Sequence, residues 1–163
     1  MRLICFLLSI IFSVSSTMAQ KANKLPIVKR PVFKKDTVSI RQFNAVGNGL
    51  VLNTKSIQAA IDQLSVKGGG VVLVPSGIWH TGPIVLKSNI NLHLSNGATL
   101  IFTKDFDQYP LVEGNWEGLP QMRNQSPISA LNATNIAITG KGIIDGNGDA
   151  WRMVKKDKLS ESQ

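Results

Sequence analysis

The chain of 163 residues has a single cysteine, Cys5, standing near its start. Beyond it no disulfide can form and thiol chemistry is closed. Histidine is nearly as scarce: only His80 and His93 occur. No grouping of His, Asp and Glu has metal-site spacing, so neither a metal nor another cofactor is expected. Acidic residues number 10 against 18 Lys and Arg, and no two aspartates are adjacent. Asp105 and Asp107 come nearest, with Phe106 between them. Long apolar runs are missing too. Leu3 to Val14, broken by Ser9 and Ser13, extends over about 12 residues, short of the roughly 20 that span a bilayer.

What is present begins with Met1 to Gln20, MRLICFLLSIIFSVSSTMAQ. Arg2, the apolar run and the small residues of Thr17-Met18-Ala19 have the order of a secretory signal peptide cut after Ala19. Residues 1–19 are therefore expected to be removed, leaving a secreted or periplasmic chain with no membrane attachment. Residues 20–35 form a basic linker: six Lys or Arg, no acidic residue, and Pro26 and Pro31 against regular structure. This stretch explains the formal charge of +8, because 11 basic and 10 acidic residues remain from Asp36 onward. Nucleic-acid binding is not expected, since no folded basic face with interleaved aromatics can be drawn. The linker has the charge to touch an anionic polymer, but its composition is that of a solvated segment.

Gly68 to Phe102, GGGVVLVPSGIWHTGPIVLKSNINLHLSNGATLIF, organises the rest. Four short strands rich in β-branched residues and Leu are expected at 71–74, 84–86, 90–94 and 98–102, each bounded by Gly, Pro, Asn or Ser. Tight corners without a hairpin signal describe a chain that winds, as in a parallel β-helix. Ahead of them, Val38 to Val46 alternates as a first strand. Asn53 or Thr54 can cap a helix to about Val66, with Ile57, Ala60, Ile61 and Leu64 on one face and Gly68 just past its end. Such a helix would close the open apolar end of the first coil. The triple glycine follows a helix and opens a strand, the reverse of a phosphate-binding loop.

Asp105 to Pro127 breaks the rhythm and is expected to be a polar insertion at a corner. Tyr109 and Trp116 there could stack on sugar rings, but packing of both back onto the body is the favoured expectation. The coil pattern then resumes. Ser88-Asn89-Ile90-Asn91-Leu92 matches Thr134-Asn135-Ile136-Ala137-Ile138 at an offset of 46, which places Asn89 and Asn135 at equivalent corners. Residues 36–152 are the expected β-helix body and 153–163 a polar tail.

GGGVVLVPSGIWHTGPIVLKSNINLHLSNGATL, with VSIRQFNAVGNG and TKSIQAAIDQL before it and IAITGKGIIDGNGDAW after it, resembles the N-terminal signature of the polygalacturonase-like enzymes, glycoside hydrolase family 28. The resemblance runs from about Val38 to Trp151. It implies an all-β, right-handed parallel β-helix of the pectin-lyase-like kind, here its N-terminal coils with one short capping helix. It also implies inverting hydrolysis of α-linked galacturonosyl polymers by two carboxyl groups about 6.5–9.5 Å apart, a pectin-type anionic partner, and a monomer for the full-length enzymes. The family's Asn-Thr-Asp, Asp-Asp, Gly-His-Gly and Arg-Ile-Lys motifs are all absent. The expectation is an N-terminal fragment that lacks the catalytic coils and is inactive alone, with no catalytic, cofactor-binding or metal residue to assign. Asn147-Gly148-Asp149 mimics Asn-x-Asp, but Asp145 and Asp149 are expected to be corner carboxylates that bond turn amides. His80 and His93 are expected to pack or face solvent. Two alternatives remain: a non-catalytic carbohydrate-binding β-helix module, and the start of a pectate-lyase-like enzyme.

Overall fold

The computed structural model describes residues 27–152; the expected leader at 1–19, the beginning of the linker and the tail at 153–163 lie outside them. Residues 27–30 are exposed and irregular, and the compact body begins at Pro31. In chain order its elements are β1 (Thr37–Ser39), β2 (Asn48–Leu52), α1 (Thr54–Val66), β3 (Gly70–Val74), β4 (Gly77–Thr81), β5 (Ile84–Val85), β6 (Ile90–Leu94) and β7 (Ala98–Phe102). After these come β8 (Leu111–Trp116), β9 (Leu119–Asn124), β10 (Ile128–Ser129), β11 (Ala137–Gly140) and β12 (Ile143–Asp145).

Three parallel sheets run side by side: β1-β3-β6-β11, β2-β4-β7-β12 and β5-β10. Outside the insertion, no strand pairs with the strand next to it in sequence. Each pairs with its counterpart one turn later, which is the definition of a coil stacked on a coil. Gly70 lies beside Ile90, a turn of 20 residues (90 minus 70). Leu92 lies beside Ile138, so the 46-residue repeat seen in the sequence is a strand register, one turn lengthened by the insertion. The parallel β-helix expected from the winding pattern is what the chain forms.

Alternation sends every second residue inward, and inward residues stack from turn to turn. Val72 sits beside Leu92, Trp79 beside Leu100, and Thr81 beside Phe102; all six are buried. The helix closes one end, with Ile57, Ala60, Ile61 and Leu64 buried against the first coil. It ends in a Schellman arrangement: the Gly69 amide donates to Leu64 O at 2.8 Å and the Gly68 amide to Ser65 O at 3.0 Å. Asn53 occupies the N-cap position, but its side chain makes no cap bond. It is buried and works as a clamp instead. Its Oδ1 accepts from the Val46 amide at 2.7 Å, and its Nδ2 donates to the carbonyls of Val51 at 2.7 Å and Val46 at 3.0 Å.

Three departures from the sequence reading have local causes. The first strand stops at Ser39, because the Ser39 hydroxyl accepts from the Arg41 amide and turns Ile40–Phe43 into a 3₁₀ helix that Asn44 closes at φ 61°. Strands β2 and β4 were not expected; Gly77, Pro75 and Gly47-Asn48-Gly49 disguise them as connections. The insertion is not simply a loop. β8 and β9 pair antiparallel, and Glu117 and Gly118 both take positive φ, 50° and 88°, as a tight primed turn requires.

One corner carries Gly69, Asn89 and Asn135 in successive turns, with φ of 106°, 63° and 55°. Asn tolerates this backbone, and Asn135 Nδ2 donates to Asn89 Oδ1 at 2.9 Å. Gly69 has no side chain at this rung because a Cβ there would collide with that of Asn89. The second half of the basic stretch is tied to the outside of this corner. Val32 N donates to Asn135 Oδ1 at 3.1 Å, Asn135 Nδ2 donates to Val32 O at 2.8 Å, and Lys34 Nζ donates to Lys67 O at 2.8 Å.

Candidate functional site

The β8–β9 hairpin stands out from the body after β7 and returns to it at β10. Its base is anchored by packing. Tyr109 is buried, its hydroxyl donates to Thr103 O at 2.8 Å, and burial raises its pKa above the usual value. The rings of Phe106 and Tyr109 meet Trp151 edge-on, with centroids 4.6 and 4.8 Å away. Tyr109 thus packs as expected. Trp116 does not: it is 52% exposed near the hairpin tip, because the six-residue strands carry it away from the coil. Both strands are exposed along their whole length.

Between the hairpin and the β5–β10 sheet lies a cleft of about 570 Å³, lined among others by Val85, Gly114, Arg123, Asn124, Gln125 and Ser129. Arg123 is its feature least visible beforehand. The guanidinium carbon lies 4.9 Å from the centre of the Trp116 ring, and Nη1 donates to Asn115 O at 3.2 Å. The clue in the sequence was the two-residue turn at Glu117-Gly118 between two runs of equal length, which sets Arg123 on the face shared by Gly114 and Trp116.

The candidate titratable residues are scattered. Register puts His80, Ile101 and Asp145 in one outward row of the β2-β4-β7-β12 sheet. His80 and Asp145 are two strands apart, about 10 Å by strand spacing, too far for a hydrogen bond. Asp145 Oδ1 accepts from the Asn147 amide at 2.9 Å, the turn-amide contact expected of a corner carboxylate. Asp149 does otherwise: its carboxylate meets Arg152 at 3.5 Å and is highly exposed. His93 faces out from the β1-β3-β6-β11 sheet, with Nδ1 2.9 Å from Thr139 Oγ1. Thr139 Oγ1 already donates to Asn91 Oδ1 at 2.8 Å, so His93 Nδ1 must be the donor to Thr139.

Two further carboxylates are also engaged in structure. Asp105 accepts from the Asp107 amide and from Gln108. Asp62 lies 2.7 Å from Lys87 Nζ. Burial pushes the Asp62 carboxyl up, but bonds from Lys87 and Gln58 and the lysine charge outweigh this and hold it below its ordinary 3.8. Among the described residues no group of three or more His, Cys, Asp or Glu could hold a metal ion. Nor is any helix there long and apolar enough to cross a membrane. The arrangement offers a cleft of mixed apolar and polar lining with one guanidinium, Arg123, and one carboxylate, Glu113, and an exposed indole on the adjoining hairpin face, suited to binding rather than to two-carboxylate chemistry.

No family profile matches the chain. Individual proteins do. An exo-poly-α-D-galacturonosidase of Dickeya chrysanthemi is 37% identical over 133 residues, which is 77% of this chain and 22% of that protein. The crystal structure of a hyperthermoactive exopolygalacturonase from Thermotoga maritima superposes with a TM-score of 0.68 at 39% identity, over 73% of this chain and 27% of that one. The family 28 exopolygalacturonase of Yersinia enterocolitica gives 0.63 at 38% identity, over 70% of this chain and 21% of that one. The chain thus spans about a quarter of the length of these relatives. With its right-handed parallel β-helix, capping helix and turn-to-turn register, the chain belongs to the polygalacturonase-like proteins of glycoside hydrolase family 28.

Proposed function

We propose that the chain serves the hydrolysis of pectin-type polysaccharide, α-linked galacturonosyl polymers above all, as the helix-capped end of the β-helix and part of the substrate-binding surface. The identity of 37–39% to galacturonan-degrading enzymes carries this reading. Inverting hydrolysis requires one carboxylic acid to protonate the leaving oxygen and one carboxylate to activate water from the opposite side. On this reading neither group comes from residues 27–152. Asp62, Asp105 and Asp145 are held in structural bonds, and no second carboxylate shares the outward row of Asp145.

The polypeptide of 163 residues by itself is then expected to release no reducing ends from polygalacturonate above a blank. Release that disappears in Asp145→Asn or Asp149→Asn would give one of these residues the catalytic role denied to it here.

We further propose export. The support is the leader of Arg2, the apolar run and Thr17-Met18-Ala19. Sequencing the exported protein should find Gln20 at its start; finding Met1 there instead would refute the cleavage.

A further inference from the structure

We infer that the β8–β9 hairpin and the cleft beside it form a subsite that reads the carboxylate of an acidic sugar, with Arg123 taking the carboxylate and Trp116 stacking on the ring. The inference rests on the galacturonan reading above for its substrate class and adds the residues that would recognise it.

Strand alternation puts Val112, Gly114 and Trp116 on one face of the hairpin, together with Leu119, Gln121 and Arg123 from the partner strand. Arg123 pairs directly with Val112, so its guanidinium reaches the indole only by running along the face past Gly114. A Cβ at Gly114 would already touch Arg123 Cγ and Cδ at 3.7 and 3.6 Å. Glycine leaves that face open above the arginine stem. The indole then holds the guanidinium plane in place, which lowers the ordering cost of binding.

Arg123 is charged and uncommitted. It donates one hydrogen bond, to Asn115 O. The ion pairs among the described residues are Lys87–Asp62 and Arg152–Asp149, and neither involves Arg123. Glu113 pairs across from Met122 and so alternates away from Arg123 on its strand; it lines the same cleft but makes no ion pair with Arg123. A planar fork with free donors matches a carboxylate in two-point geometry. Asn124, Gln125, Ser126 and Ser129 in the lining are suited to sugar hydroxyls, and its apolar part to the ring face. Arg123 is the one Lys or Arg of the lining and Glu113 its one carboxylate, so a ligand unit with one negative charge fits better than a phosphate or a dense polyanion.

Trp116 is also the tryptophan available for stacking. Trp79 is fully buried, and Trp151 packs against Phe106 and Tyr109.

The test titrates the full chain with trigalacturonate and with a neutral galactose trisaccharide, at low and high salt, reading heat and tryptophan emission. Trigalacturonate is expected to bind with a salt-sensitive affinity and to shield an exposed tryptophan from acrylamide, and this shielding signal should vanish in Trp116→Phe. Arg123→Gln should weaken binding at least about ten-fold, and Arg123→Lys should restore only part of it. The neutral sugar should bind at least about ten-fold more weakly. Both positions are exposed, and circular dichroism checks that the variants keep the parent fold. Trigalacturonate binding unchanged in both variants would overturn the subsite while leaving the galacturonan reading standing. Equal binding of acidic and neutral sugars would overturn both. No binding up to millimolar sugar would overturn the subsite and leave the galacturonan reading, which rests on the identity to galacturonan-degrading enzymes, standing.

Discussion

Studied by itself, the chain is expected to associate as its concentration rises, to bind dyes specific for apolar surface, and to melt over a broad range. The physical cause is the asymmetry of the solenoid. Helix α1 covers one end, and Ile57, Ile61 and Leu64 are buried beneath it. At the other end β11 and β12 are the outermost strands of their sheets, and among the described residues nothing pairs with their outer edges. Ile138 is 45% exposed, Ile144 40% and Ile143 62%, although Ile138 and Ile144 continue the inward columns of Leu92 and Leu100. Leaving three such side chains about half exposed forfeits on the order of 3 kcal/mol, a large share of the 5–15 kcal/mol that holds a domain together. Open edges with unpaired amides also recruit other chains. Sedimentation velocity over a dilution series, with scanning calorimetry, decides the matter. A single monomeric species with a sharp two-state transition would show that the open end is closed.

The second large effect is expected at Trp79. This side chain is fully buried between the β2-β4-β7-β12 sheet and the early corner. Its indole NH donates to Pro75 O at 2.7 Å, and Arg41 lies over its ring at 5.3 Å. Gly47 is small for its sake: a Cβ there would come within 2.9 Å of the ring. Trp79→Ala removes the largest buried side chain and leaves a cavity in a column where Leu100 is its only paired support on one side. A loss of about 4 kcal/mol is expected, enough to unfold much of the population in a chain this marginal. Trp116→Ala, a change of the same size on an exposed hairpin, should shift the urea midpoint little. Equal losses at the two positions would contradict the placement of Trp79 in the core.

These contrasts show where the sequence was readable. Period-two runs such as Ile90 to Leu94, and the matching Asn89 and Asn135, announced winding because corner backbone selects asparagine and stacked strands select alternation. The helix showed itself through one apolar face. β2 and β4 did not, since glycines within or beside the strand dilute a pattern only five residues long. The hairpin was hidden for a different reason. Apolar and polar residues are mixed on both of its faces and all are exposed, so no alternation of burial marks its strands; only the Glu117-Gly118 turn does. Consequently Trp116 was expected to pack, when the strands hold it in solvent. Asp145 was legible as a corner residue because Asp two positions before Asn is a turn signal. Arg123 was not legible, since its relation to Trp116 exists only in the paired register.

The register keeps Asp145 two rungs from His80 and sets the hairpin beside β10. Disulfide trapping measures it directly. With Cys5 replaced by serine, cysteines go into Asn91→Cys/Ala137→Cys, which face each other across β6 and β11, and into Val71→Cys/Ala137→Cys, which lie one strand further apart. Paired strands sit about 4.8 Å apart, within the roughly 4.4–6.8 Å that a disulfide bridges, whereas two rungs, about 10 Å, exceed it. Rapid closure of the first pair and none of the second is the predicted result. Closure of the second pair in preference to the first, or of neither, would contradict the stacked coils on which the family assignment, the inactivity and the hairpin site all depend.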